Sequence, residues 1–292
     1  MDFRQRAFFK QRRREAPHAS IFFLSADPAT VYGERNDPGA RMLSACKLNL
    51  DRDRIFYISG DFHHYERRAV GPSMHIIAGG GGAFLHGTRI PPSKNPPAKA
   101  YPDAATSRAL ALQVPWKLMI GRAGLLVHLL LALVASMELG ASLKSEAALK
   151  WTSATLSVVL WLVLFLIANR GSRPKLTAAI ASVFGGALGI LPMILKLALS
   201  HAGAALAGDG AVMIVSALAG SFLFGTFLTL VAVLGIEHQQ AFTVLGHPGF
   251  KHFVRLCVHP NGLIEGFTIG KDDALAPGQP KLIDSFTWRA HD

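Results

Sequence analysis

Residues 55–89 read IFYISGDFHHYERRAVGPSMHIIAGGGGAFLHGTR, and their pattern decides the fold. Ile55, Tyr57 and Ser59 alternate with Phe56 and Ile58 in a β-rich run that stops at Gly60. Asp61, His63 and His64 follow at once. A second apolar run, residues 75–78, stops at Gly79, Gly80, Gly81 and Gly82, and His86 comes shortly after. The pattern predicts strand, loop, strand, loop. A carboxylate and imidazoles just past a strand end suit a divalent metal held over a sheet edge, because oxygen and nitrogen donors match Mn, Fe and Zn. The glycines allow two uses. Their backbone N–H groups could approach a phosphate closely, or their freedom at positive φ could form a tight turn.

Working outward, residues 20–25 read as a short strand, and Asp27-Pro28 begins a loop that runs to the turn at residues 36–39. A short helix over residues 41–48 and a lead-in at 51–54 complete an α/β alternation. Strand ends then lie along one edge, the usual place for a site in an open sheet. Residues 2–15 form a basic helix ended by Pro17. It reads as a solvated helix packed on the soluble part, with a membrane-surface helix as the alternative. No apolar signal-peptide core is visible there.

The segment SGDFHHY followed by HIIAGGGGAFLH resembles the closing motif of the calcineurin-like metallophosphoesterases, and most resembles a branch with transmembrane helices after that motif. The family's closing motif is Gly-His-x-His. Here it reads Gly60-Asp61-Phe62-His63, so Asp61 stands where a His is common and His63 matches. The resemblance implies Asp61 and His63 as metal ligands and His64 as a catalytic substrate contact or proton donor. Gly79, Gly80, Gly81, Gly82 and His86 would bind substrate. It implies a divalent metal cofactor (Mn, Fe or Zn) and a phosphoester substrate. The family's first three metal-binding patterns, Asp-x-His, Gly-Asp-x-x-Asp and Gly-Asn-His, do not occur before Asp61, and Ala26-Asp27-Pro28 stands at the fourth. The chain therefore looks like the C-terminal part of such an enzyme. A preceding segment or a partner chain would supply the rest, and activity of this chain alone is not expected. The alternative is a remnant phosphoesterase domain that acts by binding.

Composition points to a membrane. Half of the 292 residues are hydrophobic, and the formal charge is +11. That charge suits anionic lipid or phosphorylated ligands, and no nucleic-acid reader motif is present. Cys46 and Cys257 form no disulfide framework and no Cys-x-x-Cys pair, which favours a reduced compartment. Pro-rich residues 92–117 read as a linker. Four apolar segments follow at residues 118–139, 151–168, 176–199 and 211–236, each near the ~20 residues that span hydrocarbon. His128 within the first reads as a neutral histidine bonded between helices, and Gly185, Gly189 and Pro192 in the third as marks of close packing and a kink. Arg170, Arg173 and Lys175 between the second and third segments place that loop, and with it both termini, in the cytoplasm of an inner or plasma membrane.

In residues 238–292, residues 253–258 alternate, His259-Pro260-Asn261-Gly262 makes a turn, and residues 263–269 form a second strand. A lone hairpin is marginal in water, so it is expected to pair with the N-terminal sheet. The predicted fold is a membrane α-helical bundle of four spans attached to a partial α/β metallophosphoesterase-like domain over residues 1–91. The predicted function is a membrane-anchored, two-metal phosphoester hydrolase in truncated form.

Overall fold

A computed structural model of the chain describes residues 2–17, 19–169, 173–201 and 208–290. It divides into two compact units, Met1–Ser107 with His247–Asp292, and Arg108–Gly246. The first unit is thus discontinuous in sequence, with the apolar segments carried between its two parts.

The first unit begins with α1 (Phe3–Glu15), closed at its start by a capping box between Asp2 and Gln5. Its larger sheet contains β1 (Ile21–Ser25), β4 (Ile55–Ser59), β5 (Tyr65–Val70), β6 (Ser73–Ala78) and β7 (Lys99–Tyr101), in the order β1-β4-β6-β5-β7; β2 (Thr30–Val31) and β3 (Glu34–Arg35) form a separate small hairpin. Strands β1, β4 and β6 run parallel, so their carboxyl ends share one edge. Helix α2 (Asp37–Ala45) connects β1 to β4.

The period-two alternation of β4 sorts its side chains by face. Ile55 and Tyr57 pack with Phe23, Leu43, Cys46 and Leu48 in a core that includes α2. Phe56 points the other way, with its ring 5.4 Å from Trp288 and 6.2 Å from Phe286. Those residues belong to a second sheet of β8 (Lys251–Val258), β9 (Leu263–Lys271) and β10 (Lys281–Arg289), in the order β10-β9-β8.

This corrects three expectations. The hairpin does not join the N-terminal sheet by backbone pairing. It gains a third strand of its own, and the two sheets meet through side chains. An irregularity between Leu282 and Asp284 breaks the β10 register and re-aims Asp284. Asp284 then accepts from Tyr65 Oη at 2.8 Å and from Arg67 Nε at 2.7 Å and Nη2 at 3.2 Å. The second correction lies between β4 and β6, where a loop was expected. Tyr65–Val70 is a strand instead. Its charges are paired: Arg67 with Asp284 and Arg68 with Glu66. Nor are residues 92–117 a free linker, since they include β7, α3 (Ala104–Ala111) and most of α4 (Val114–Met119).

The second unit holds α5 (Leu126–Ser142), α6 (Glu146–Ala168), α7 (Pro174–His201), α8 (Asp209–Val233) and α9 (Gln240–Leu245). Three stretches, Glu146–Ala168, Pro174–Leu199 and Asp209–Val233, are long and apolar enough to cross a membrane. The first expected span is shorter than predicted. Gly121 and Gly124 take positive φ, at 74° and 91°, and break the chain between α4 and the 17-residue α5. A Cβ on Gly185 would overlap the Trp161 backbone, and one on Gly189 would overlap Ser157, so α6 and α7 approach closely at these two positions. Pro192 lies inside α7. Lys196 Nζ reaches Ser142 Oγ at 2.7 Å and Asp209 at 3.5 Å. Arg170, which enters the charge argument for orientation, lies outside the described residues.

Candidate functional site

Three loops meet at the carboxyl edge of β1, β4 and β6. The N–H groups of Gly60 and Asp61 both donate to the Ala26 carbonyl, at 3.1 and 2.9 Å, which joins the first loop to the second. Tyr57 Oη donates to the Asp27 carbonyl at 2.5 Å and so holds the Asp27 backbone. Phe62 is buried with Val31, Tyr32 and Ile77 and anchors the second loop. Alternation about that anchor leaves Asp61 exposed, His63 half-buried and His64 fully buried.

His63 is tightly oriented. Its Nδ1 lies 2.8 Å from the Phe84 carbonyl. A carbonyl only accepts, so Nδ1 carries the proton and Nε2 remains the ring's donor atom toward a ligand. Metal-binding histidines are commonly oriented this way. The His63 ring stacks on His86 at 4.6 Å with 9° between planes. His86 Nδ1 accepts from the His63 backbone N–H at 3.0 Å, which puts the neutral His86 proton on Nε2. Burial, and then the neighbouring His63 and His64, pushes the His86 pKa down to about 3.

His64 sits differently from the substrate-facing role that the resemblance implies. It has no exposed surface, stacks near Tyr32 at 5.5 Å, and places Nε2 3.6 Å from Glu66. Glu66 in turn pairs with Arg68, and Arg68 donates to the Asn95 carbonyl. Burial pushes the Glu66 carboxyl up, but His64 and Arg68 outweigh it and hold the group below the usual range. His64, Glu66 and Arg68 thus form a buried polar network beneath the edge.

The glycines are spent on packing. None of Gly79, Gly80, Gly81 and Gly82 takes positive φ. A Cβ on Gly79 would overlap the carbonyls of Phe62 and Gly60, one on Gly80 would overlap His252, and one on Gly82 would overlap the His63 ring; Gly81 alone faces open space. Lys251 Nζ donates to the Gly82 carbonyl. His252, beside Lys251, is buried, and burial pushes its pKa down to about 4. Arg89, near enough in sequence to face an anion, instead donates to the Tyr32 carbonyl and pairs with Glu34 at 2.7 Å. A cleft of about 920 Å³ opens along β7, away from Asp61 and His63; Arg68, Lys99, Asp103, Asp272 and Lys281 line it.

A two-metal centre needs about three protein ligands per metal. Asp61 and His63 offer two donors. Among the described residues, they belong to no group of three His, Cys, Asp or Glu ligand atoms lying within 4.8 Å of one another. The residues present do not fit a two-metal centre. One group does meet that distance, Cys257, His259 and Glu265 on the β8–β9 hairpin, and the sequence reading passed over it. Its signal was a Cys-x-His spacing before a turn with a Glu after it. In the second unit, Glu138 was also passed over. It is buried, with Ser153 and the Met193 backbone as polar neighbours. His128 donates from Nε2 to the Met119 carbonyl at 3.0 Å. No family model, no curated protein and no solved structure matches the chain.

Proposed function

We propose that the chain is a membrane-anchored domain of the calcineurin-like metallophosphoesterase type, directed at a phosphoester, which binds at the Asp61–His63 edge without hydrolysing it unaided. The observation that carries this reading is the orientation of His63. The Phe84 carbonyl fixes its Nδ1, and Gly82 leaves room for its ring, which leaves the Nε2 lone pair to a single divalent ion shared with Asp61. Such an ion would hold the phosphoester, because a lone pair and a carboxylate alone repel a phosphate. The ligand shortfall supports binding over turnover in this chain. Lewis-acid activation of water requires a metal held by more donors than these two. Donors from another chain or a further segment would complete a hydrolytic centre.

In this reading α5 serves as a fourth span. Its 17 residues extend about 25 Å, at the short end of what hydrocarbon requires. Arg173 and Lys175 at the start of α7 then favour a plasma or inner membrane with both termini in the cytoplasm. The test is an assay of the purified chain with Mn²⁺ or Zn²⁺ on an aryl phosphodiester, beside inorganic-phosphate binding. The expected result is no turnover above that of His63→Ala, with phosphate binding weakened in His63→Ala. Turnover lost in His63→Ala would show a complete hydrolytic site, and phosphate binding indifferent to His63→Ala would reject the edge as the binding site.

A further inference from the structure

We propose that the β8–β9 hairpin is a Zn²⁺ site formed by Cys257, His259 and Glu265. Cys257 lies in β8 and His259 one residue past its end at Val258, two positions on, so continued alternation of the chain sends both to one face. The turn closes through His259 N–H to the Leu263 carbonyl at 2.8 Å, with Gly262 at a φ of 76°. That closure sets the register, and Cys257 falls directly opposite Glu265 on β9. A cross-strand pair on one face brings its side chains together.

The result is a thiol, an imidazole and a carboxylate whose ligand atoms all lie within 4.8 Å of one another. Tetrahedral zinc with bonds of about 2.0–2.3 Å separates its ligand atoms by roughly 3.3–3.6 Å, so small rotamer changes convert this cluster into a coordination shell. His259 Nε2 already lies 2.7 Å from Glu265 Oε2, so the pair has only to open enough to admit the ion. The donor set selects the metal. Thiolate with imidazole favours zinc over the hard cations Mg²⁺ and Ca²⁺. Binding displaces the Cys257 thiol proton to solvent, since the thiolate is the ligand.

The exposure of the cluster suits a site with one open position. Cys257 is exposed, and His259 and Glu265 keep about a third of their side-chain surface, 36% and 38%. Cys257 and Glu265 also line a groove of about 490 Å³ with Arg255, Phe267, Lys281 and Leu282. Arg255, two residues before Cys257 on the same strand, favours water or a small anion as the fourth ligand. This inference stands apart from the sheet edge, because none of its ligands belongs to the Asp61–His63 loop.

The experiment uses the full chain in detergent carrying His63→Ala, so that any ion at the sheet edge is removed and the outcome is independent of the proposed function. After chelator treatment, Co²⁺ and Zn²⁺ are titrated in. The expected result is one ion per chain, a thiolate-to-cobalt charge-transfer band, and a Zn²⁺ affinity at least tenfold lower in Cys257→Ser and in Glu265→Gln. The serine substitution is nearly isosteric on an exposed strand face, and unchanged circular dichroism verifies the fold. Absence of stoichiometric binding, absence of the band, or binding indifferent to Cys257→Ser would overturn the proposal and leave His259 and Glu265 as a cross-strand ion pair.

Discussion

The sheet edge at residues 60–86 and the hairpin at residues 257–265 make opposite use of similar side chains. The edge is rich in histidine, yet its histidines turn to carbonyls, to rings and to a buried carboxylate. The hairpin has a single histidine, but strand register delivers a thiol and a carboxylate to it. The difference teaches that a donor-rich segment is not yet a metal site. What decides is whether backbone geometry converges the donors and leaves them accessible. At the edge, burial takes His64 and His86 into structure and leaves only Asp61 and His63 toward a ligand. On the open face of β8 and β9, a metal competes, among the described residues, only with the pair that His259 and Glu265 make with each other.

If the first unit keeps His75 of β6 and His252 of β8 buried and neutral, acid should undo it. Burial holds His75 and His252 down to about 4 each, whereas in the unfolded chain each titrates near 6.5. The folded state therefore keeps them neutral. Their contribution is complete above pH 6.5 and is lost as pH falls toward 4, because the unfolded state binds the extra protons. Two such groups give a slope of up to roughly 3 kcal/mol per pH unit within that window. The low-held Glu66 adds to the loss further into acid, as pH falls through its folded pKa. Denaturant melts of the full chain from pH 7 to 4 check this, and a flat profile would separate the edge from the buried core.

Substitutions of glycine sharpen the same point. Gly79→Ala drives a methyl into two backbone carbonyls and should cost about 3 kcal/mol, whereas Gly81→Ala, facing open space, should change stability by under about 0.5 kcal/mol. Equal effects in a paired unfolding experiment would mean that the loop is not packed as described. Asp284→Asn should cost about 2–3 kcal/mol, because it weakens the part-buried anchor for Arg67 and Tyr65 that joins the two sheets. Urea unfolding compared with Arg67→Ala in a double-mutant cycle should show strong coupling; additivity would argue that the sheets are held by their aromatic residues alone. The smallest effect belongs to the hairpin. Without metal, Cys257→Ser should leave thermal stability within about 0.5 kcal/mol, since the side chain is exposed. A large loss in calorimetry would show that Cys257 is a packing residue.

Much of the framework was legible in the sequence. The runs that became β4 and β6 carry dense β-branched and aromatic residues up to a glycine stop, and the turn at Asn261-Gly262 marks the β8–β9 hairpin. The three longest apolar helices follow from composition alone. The elements that escaped are those stabilised by distant partners. Tyr65–Val70 looks polar until Asp284 and Glu66 are placed beside its arginines. β10 has its meaning in Phe286 and Trp288 stacking on Phe56, over two hundred residues earlier. The break before α5 rests on the positive φ of Gly121 and Gly124, which an apolar run conceals. His64 departed from the role the resemblance implied, and the neighbours of Cys257 were passed over, for one reason. Spacing along the chain shows which residues are neighbours, but strand register and burial decide which of them can share a ligand.

X-ray absorption at the zinc edge of the Zn²⁺-loaded, otherwise unmodified chain tests this contrast most directly. The account predicts one sulfur scatterer at about 2.3 Å with nitrogen and oxygen at about 2.0–2.1 Å. A shell of nitrogen and oxygen alone, lost on His63→Ala, would contradict it and return the metal to the sheet edge.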